Sequence, residues 1–242
     1  MVLLYSLPLV SALLRDTHLP LAAPYLCTMT PEIANLRQEY AAQVLLEADV
    51  ASHPITQFKT WWQQVLNSKI TEPNAMTLAT ASADGVPAAR IVLLKDFDQN
   101  GFVFYTNYQS FKAMHLAENP KACLVFFWKE LERQVRVVGL VNKVAAEESD
   151  AYFNSRPEGS RLGAWASPQS QVIESREWLD LRYQELVKEK SGQPIERPPQ
   201  WGGYVVQPVV MEFWQGRPNR LHDRIQYTLQ ESGDWKIERL AP

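Results

Sequence analysis

Cysteine and histidine are scarce in this sequence of 242 residues. Its two cysteines, Cys27 and Cys123, stand far apart, which excludes a disulfide scaffold and a cysteine-based metal cluster. The four histidines are scattered, and no two of them have the spacing of metal ligands: His18, His53, His115 and His222. We therefore expect no metal site.

A strong net charge and the common catalytic motifs are also missing. The net charge of −3 and the pI of about 5.9 exclude a global basic field that would grip nucleic acid. The chain contains no glycine-rich dinucleotide loop after a strand, no Walker loop, no G-x-S-x-G elbow and no H-E-x-x-H helix. The ordinary fractions of hydrophobic residues (46%) and charged residues (21%) indicate a soluble protein with one main core, and we expect it to be cytoplasmic.

Long apolar runs are absent apart from residues 1–14, which are uncharged. This run is shorter than the roughly 20 residues of a transmembrane helix. It also lacks the positive charge that precedes the apolar part of a secretory signal. We expect residues 1–28 to be a dispensable extension, with Met29 as the natural first residue and 29–242 as a single domain.

Hydrophobic periodicity predicts a mainly β protein with flanking helices. Thr30 and Pro31 resemble a helix start, and apolar spacing continues that helix to about residue 48. Further helices are expected from Pro54, at 110–117, at 147–154 and at 173–190. Alternating or β-branched runs predict strands at 76–81, 88–94, 102–106, 123–128, 134–144, 204–213, 226–230 and 235–239. Short turns between strands favour an antiparallel barrel over parallel winding.

Cations stand at both ends of an apolar run in Arg90–Lys95. A half-buried cation needs a partner, and a phosphate oxygen is a natural one. The odd separation of Arg90 and Lys95 predicts opposite strand faces, so the two would bind different phosphates. Salt bridges with Asp96 or Asp98, or simple solvent exposure, are the alternatives.

Tyr152, Arg156 and Ser160 recur every four residues. We expect Tyr152 and Arg156 to share a helix face, with Ser160 on a loop because Pro157 and Gly159 interrupt the helix. Two hydroxyls and a guanidinium would form an anion cradle. A solvated face is an equally good interpretation of this spacing.

Two further groups combine cations with polar residues. Tyr105, Thr106 and Asn107 end a strand just before Lys112, which falls in the first turn of a helix, where free N–H groups suit an anion. In the segment 220–224, an extended chain would place Arg220, His222 and Arg224 on one face, with histidine available for proton transfer. A basic surface strand is the alternative for the second group.

Together with neighbouring motifs, these residues resemble the pyridoxamine 5′-phosphate oxidase family. The resemblance covers residues 33–242 and is carried by RIVLLK at 90–95, YTN at 105–107, LERQV at 131–135, YFxSRP at 152–157, GAW at 163–165, FWQG at 213–216, RLHDR at 220–224 and WKIxRLAP at 235–242. It implies an FMN-binding split β-barrel and a homodimer with active sites at the subunit interface. It also implies oxidation of pyridoxamine or pyridoxine 5′-phosphate to pyridoxal 5′-phosphate by O₂, with release of H₂O₂. The protein then needs no nucleophile or metal, only orientation and electrostatics.

The same resemblance implies a role for individual residues. Flavin contacts are expected at Arg90, Ile91, Val92, Leu93, Leu94, Lys95, Tyr105, Thr106, Lys112, Gln134, Gln169, Ser170, Trp214 and Arg224. Substrate contacts are expected at Arg37, Tyr40, Lys95, Tyr152, Arg156, Ser160, Arg220, Leu221 and His222. Arg220 and His222 would be the catalytic pair that closes over the pyridine ring, and the segment containing Arg37 and Tyr40 would cover the site.

The chain departs from the family pattern at Phe111, where the family has an arginine that helps to hold the flavin phosphate. We expect this change to weaken FMN retention. Two other functions remain open: a split-barrel flavoprotein with another substrate or a deazaflavin, and a non-catalytic binder of pyridoxal phosphate or flavin. The residues Tyr152, Arg156, Ser160, Arg220 and His222 argue against the first, because in the family they serve this particular substrate.

Overall fold

A nine-stranded sheet dominates the computed structural model, which describes Tyr40 and residues 43–242. Its strands are β1 (Ala75–Ala81), β2 (Pro87–Leu93), β3 (Asp96–Asp98), β4 (Gly101–Asn107), β5 (Lys121–Trp128), β6 (Arg133–Lys143), β7 (Trp201–Gln215), β8 (Asp223–Leu229) and β9 (Trp235–Arg239). They run in the order β2-β1-β5-β6-β7-β4-β3, and β8 joins β7 to β9. Every pairing is antiparallel, which confirms the predicted class.

The long strand β7 links the two parts of this half-barrel. It pairs with β4 along Trp201–Val206 and with β8 along Val210–Gln215, while β6 follows it along nearly its whole length. The register with β6 shifts between Val138 and Gly139, where a Cβ on the glycine would lie 2.2 Å from the carbonyl oxygen of Gln207. Strand β7 therefore connects the predicted site residues of β4 with those of β8.

Five α-helices flank the sheet in the part of the chain that the structure describes: α1 (Pro54–Asn67), α2 (Phe111–Glu118), α3 (Ala146–Ser155), α4 (Glu158–Ala166) and α5 (Arg176–Glu189). Helix α1 begins at a proline, and the ring nitrogen Nδ1 of His53 accepts a hydrogen bond from the backbone N–H of Ile55. Among the described residues, no helix is long and apolar enough to cross a membrane.

Helix α4 was not predicted, and the expectation that Ser160 lies on a loop was wrong. Pro157 does end α3, but its φ of −53° also suits the start of a helix, and α4 begins at the next residue. Ser160 donates its backbone N–H to the carbonyl of Pro157 in the first turn of α4. Strand β3 was also missed, because its two aspartates carry no strand signal.

The predicted helix from 30 to 48 lies partly outside the described residues, as do residues 1–28 and Arg37. Its described end is not helical, because residues 43–46 are irregular and 47–49 form a turn. Side chains from distant strands bind this backbone instead. Leu45 donates its N–H to Asp223 over 3.1 Å and accepts a hydrogen bond from Arg239 over 2.9 Å. These tertiary bonds replace the intrahelical ones.

The main core lies between α1 and the inner face of the sheet. Phe58 of α1 is fully buried, with its ring 4.8 Å from those of both Phe97 and Phe102. A smaller cluster joins Phe153 of α3 to Leu162 of α4 and Trp201 of β7. This second cluster fixes the helices that carry Tyr152, Arg156 and Ser160.

Candidate active site

One cavity of about 540 Å³ brings together most of the predicted site residues. It lies among β2, β4, α2 and the junction of α3 and α4. Twelve of the predicted residues line it: Arg90, Ile91, Val92, Leu93, Lys95, Tyr105, Thr106, Lys112, Tyr152, Arg156, Ser160 and Gln169. This volume is within the range of sites for cofactors and small molecules.

Arg90 reaches this cavity, and no acidic side chain of the described residues pairs with it. One of its terminal nitrogens, Nη1, donates to the carbonyl of Leu78 over 3.1 Å and to Oγ1 of Thr80 over 2.8 Å. Burial lowers the pKa of Arg90. The acids proposed as alternatives have other partners, since Asp96 accepts the N–H of Phe97 and Asp98 binds Asn100.

Arg90 and Lys95 line the same cavity, and so do Ile91, Val92 and Leu93. Lining therefore does not test whether the two cations lie on opposite strand faces, which stays a prediction. Strand β2 ends at Leu93, and the alternation of side chains therefore does not extend to Lys95. The Nζ atom of Lys95 lies 5.9 Å from the ring centroid of Tyr152. This places Lys95 near the helix α3 side of the cavity.

Lys112 forms the second cation beside Arg90. Its Nζ lies 3.2 Å from the hydroxyls of both Thr106 and Ser110 and 3.0 Å from Oε1 of Gln169. Burial, and then the charge of Arg90, lower the pKa of Lys112 to about 8. Two cations therefore face one region of the cavity, and no carboxylate in the described part of the chain pairs with either of them.

Arg156 provides a second cationic region, next to stacked aromatic rings. Its guanidinium carbon lies 4.7 Å from the ring centroid of Trp201, and its buried Nη1 has no hydrogen-bond partner among the described residues. The rings of Tyr105 and Tyr152 stack at 4.0 Å, and the ring of Trp201 lies 5.3 Å from Tyr105 at an angle of 11°. Burial lowers the pKa of Arg156, so an anion would relieve both its charge and its unpaired N–H.

Sequence reasoning missed Trp201, which lines the cavity together with Pro157. A usable signal was the pair of glycines that follows it. A Cβ on Gly202 would lie 2.2 Å from the hydroxyl of Tyr108, and one on Gly203 would lie 2.6 Å from Val144 and 2.8 Å from Tyr105. Glycine is therefore needed for β7 to approach the aromatic rings of Tyr105 and Tyr108.

Five of the predicted flavin contacts do not line this cavity. Leu94 is buried in the core, where its N–H donates to the carbonyl of Asn74 over 2.8 Å. Ser170 is exposed beside Gln169 with a φ of 70°. The other three lie together on the sheet: Gln134, Trp214 and Arg224.

Gln134, Trp214 and Arg224 form one row across β6, β7 and β8. Directly opposed residues of antiparallel strands share a face, and the next row, which contains Phe213, is fully buried. The row of Gln134 therefore faces away from the core. Arg224 binds the buried carboxylate of Glu212 through two nitrogens, at 2.9 and 3.2 Å.

The predicted catalytic residues lie in a separate cluster near Trp214, outside the cavity. His222 packs 4.6 Å from the Trp214 ring, and Tyr40 lies 6.0 Å from His222. The segment is not extended as predicted, since Arg220 ends a short 3₁₀ helix with a φ of 61° and Leu221 is exposed before β8. Face alternation therefore does not apply to Arg220 and His222.

His222 has a defined hydrogen bond in this cluster. Its Nδ1 accepts the backbone N–H of Arg217 over 3.1 Å, which leaves Nε2 to carry the ring proton. Burial, and then the charge of Arg220, lower the pKa of His222. His222 therefore favours the neutral form, in which Nε2 carries the proton and can donate a hydrogen bond.

These features define a class of protein: an antiparallel half-barrel with a cavity that is lined by cations and stacked aromatic rings. In the described part of the chain, no group of three His, Cys, Asp or Glu residues could hold a metal ion. The chain belongs to the pyridoxamine 5′-phosphate oxidase family, whose model matches residues 63–188. The model of the pyridoxine 5′-phosphate oxidase C-terminal dimerisation region matches residues 201–242.

Curated relatives and solved structures agree with this membership. A pyridoxine/pyridoxamine 5′-phosphate oxidase of Nostoc punctiforme is 56% identical over 214 residues, covering 88% of this chain and 100% of the relative. One from Cupriavidus necator is 56% identical over 211 residues, covering 87% and 99%. The structure of PhzG from Burkholderia lata, in complex with tetrahydrophenazine-1-carboxylic acid, has a TM-score of 0.78 at 32% identity and covers 83% of this chain and 99% of that one. A pyridoxamine 5′-phosphate oxidase-related, FMN-binding protein of Nostoc punctiforme has a TM-score of 0.62 at 18% identity, covers 76% and 97%, and supports the split-barrel fold.

Proposed function

We propose that this chain oxidises pyridoxamine 5′-phosphate, and pyridoxine 5′-phosphate, to pyridoxal 5′-phosphate with FMN as cofactor and O₂ as acceptor. The observation that carries the proposal is the arrangement of cations in the cavity as two groups. Arg90 and Lys112 form one group, and Lys95 and Arg156, each of which interacts with Tyr152, form the other. Two groups suit two phosphates, one from the cofactor and one from the substrate.

The residues in the cavity fit FMN. Arg90 and Lys112 would hold its phosphate, because both are partly buried cations without a carboxylate partner in the described part of the chain. Thr106 and Gln169, already bonded to each other over 2.9 Å, offer further polar groups. Residues 91–93, which line the cavity, would border the isoalloxazine ring.

Arg156, Lys95, Tyr152 and Ser160 would bind the phosphate of the substrate. The stacked rings of Tyr105, Tyr152 and Trp201 form a fixed apolar wall, so the phosphate end is held before the reaction begins. An unpaired buried N–H of Arg156 gains most from an anion at this position.

Bound FMN would supply the electron acceptor, taking a hydride equivalent from C4′ of the substrate. For the amine, the overall reaction converts R–CH₂–NH₃⁺, O₂ and H₂O into R–CHO, NH₄⁺ and H₂O₂. The chain need only orient the substrate, limit water access and stabilise charge. His222, with its proton on Nε2, and Arg220 would contact the pyridine ring.

The two separate clusters are reconciled if the chain acts as a homodimer. The row of Gln134, Trp214 and Arg224 would then complete the cavity of the other subunit, together with Arg220 and His222. The match of residues 201–242 to a dimerisation region supports this arrangement.

The test is to purify the protein, measure bound flavin by absorbance, and add pyridoxamine 5′-phosphate under air. Formation of aldehyde and peroxide in equal amounts is expected. A flavin-loaded sample that yields neither would leave a non-catalytic binder as the better description. Arg220→Ala and His222→Ala should each slow turnover far more than they reduce flavin content, whereas equal losses would make both residues structural.

The requirement for a phosphate on the substrate can be tested in the same assay. The PhzG structure contains a carboxylic acid without a phosphate. In this chain, Tyr152, Arg156 and Ser160 line the cavity and favour a phosphate ester. We therefore expect oxidation of pyridoxamine 5′-phosphate and no oxidation of unphosphorylated pyridoxamine at the same concentration.

A further inference from the structure

Two buried residues stand behind Arg90 without lining the cavity. Thr80 of β1 and His115 of α2 are each 4% exposed. Oγ1 of Thr80 lies 2.8 Å from Nη1 of Arg90 and 3.2 Å from Nδ1 of His115. The three side chains form a continuous line from helix α2, through the sheet, to the cavity.

The hydroxyl of Thr80 can bond both neighbours at once. A guanidinium can only donate, so Thr80 Oγ1 accepts from Arg90. The hydroxyl still has its own proton and a second lone pair for Nδ1 of His115, so this bond can run in either direction, depending on the tautomer of the ring. In both cases Thr80 links Arg90 to His115, which ends the line.

This arrangement uses one side of the Arg90 guanidinium. Both protons of Nη1 are engaged, one by the carbonyl of Leu78 and one by Thr80. Within the described residues, Nε and Nη2 of Arg90 donate to no protein acceptor. Nε and Nη2 form the planar edge that binds two oxygens of a phosphate side by side. The bonds to Nη1 therefore fix the orientation of the edge that remains.

We propose that Thr80 and His115 are positioning residues that hold the Nε–Nη2 edge of Arg90 toward a phosphoryl group in the cavity. The proposal rests on the proposed function, in which Arg90 binds the FMN phosphate. Thr80 and His115 touch neither cofactor nor substrate. Their effect is expected at the phosphate, because Thr80 bonds Arg90, the residue of this line that reaches the cavity.

The test compares FMN with riboflavin, which has the same ring system but no phosphate, by fluorescence titration of the flavin-free protein. Thr80→Val keeps the side-chain volume and removes the hydroxyl. It should raise the Kd for FMN about tenfold and leave the Kd for riboflavin unchanged. Thr80→Ser should restore wild-type FMN affinity, because the hydroxyl returns.

His115 offers a matched pair of variants. In asparagine, Oδ1 occupies the place of Nδ1, so His115→Asn should keep FMN affinity within about twofold of wild type, while His115→Leu should weaken it about as much as Thr80→Val. Circular dichroism and thermal unfolding check that each variant folds. If Thr80→Val does not fold, His115→Asn and His115→Leu allow the same test of the positioning role at a residue of α2.

The outcomes separate the two proposals. Wild-type protein that binds FMN and riboflavin equally would contradict the phosphate site itself, and with it the proposed function. Wild-type protein that prefers FMN, with Thr80→Val and His115→Leu that keep the same preference, would overturn only the positioning role. Parallel weakening of both flavins would show a structural effect and would also overturn it.

Discussion

The guanidinium carbon of Arg156 lies 4.7 Å from the ring centroid of Trp201, while in the part of the chain that the structure describes, the buried Nη1 of the same arginine has no hydrogen-bond partner. The aromatic face holds the cation without occupying its N–H groups. A carboxylate partner would hold it more strongly but would compete with an incoming anion. The cavity thus keeps an oriented and unsatisfied arginine.

Replacement of Trp201 should therefore weaken substrate binding. A cation–π contact of this kind is worth about 0.5–2 kcal/mol, so Trp201→Leu should raise KM for pyridoxamine 5′-phosphate about tenfold and change kcat much less. Trp201→Phe, which keeps an aromatic face, is the matched control and should show a smaller rise. Steady-state kinetics with flavin-saturated protein measures both. A fall in kcat with unchanged KM would contradict this role.

Gly101 controls the approach of β4 to β7. Its φ is 132°, and an added Cβ would lie 2.1 Å from the carbonyl oxygen of Val206. Gly101→Ala should lower the free energy of unfolding by about 3 kcal/mol, because strain and a backbone clash add. For a domain of this size the melting temperature should fall by about 6–12 °C in thermal unfolding.

Gly85 provides the control for that experiment. Its φ is 86°, but nothing lies within 4 Å of an added Cβ. Gly85→Ala should therefore show only the cost of the backbone conformation, about 1 kcal/mol. Equal losses in the two variants would mean that the contact with Val206 relaxes freely.

Most of the sheet could be predicted because its strands follow simple patterns. The strand 235–239 has the predicted bounds, and the remaining predicted strands differ from the observed ones only at their ends. Strand β3 could not be predicted, since Asp96–Asp98 is a strand only through its pairing with β4. The same holds for residues 43–50, whose backbone is bound by Asp223 and Arg239 from distant strands.

The candidate site was harder to predict from sequence patterns than the fold. Alternation along Arg90–Lys95 predicts opposite faces for the two cations, but β2 ends at Leu93, so strand geometry does not fix the direction of Lys95. The stacking of Trp201 on Tyr105 depends on the pairing of β4 with β7, which no local pattern contains. The resemblance to the family identified the cavity residues, whereas their spacing alone left a binding role and a solvent-exposed role both open.

Phe111 begins α2, next to Lys112, and is 40% exposed. Its ring packs 4.4 Å from that of His115 and offers no donor to a phosphate. A hydrogen bond to a charged group is worth roughly 1.5–3 kcal/mol, so Phe111→Arg should tighten FMN binding about 10- to 100-fold. Fluorescence titration measures the Kd, and Phe111→Leu controls for loss of the ring. Equal affinity of Phe111→Arg and wild type would contradict the expectation.

His222 should titrate below its ordinary pKa of about 6.5, because burial and the charge of Arg220 both disfavour the protonated ring. Nitrogen-15 NMR of the histidine ring should show Nδ1 unprotonated at pH 7, as the bond from Arg217 requires. Arg220→Ala should raise the pKa toward the ordinary value. A spectrum with the proton on Nδ1 would rule out the hydrogen bond to Arg217.

Lys112 should give FMN binding a dependence on pH. With a pKa of about 8 in the free protein, Lys112 is charged at pH 7 and loses its proton as the pH rises through that value. The FMN phosphate is a dianion above pH 7, since its second pKa is near 6, and its presence favours the charged lysine. Binding therefore takes up a proton above pH 8, and affinity must fall there.

We expect the Kd for FMN to be nearly constant from pH 7 to 7.5 and to rise above pH 8. As long as Lys112 stays charged in the complex, the rise should approach tenfold per pH unit. Riboflavin should show no such rise, because it lacks the phosphate. Lys112→Arg should remove the dependence over this range, since arginine keeps its charge. Titrations at several pH values measure all three. If the wild type and Lys112→Arg share the same profile, the titrating group lies elsewhere and Lys112 does not hold the phosphate.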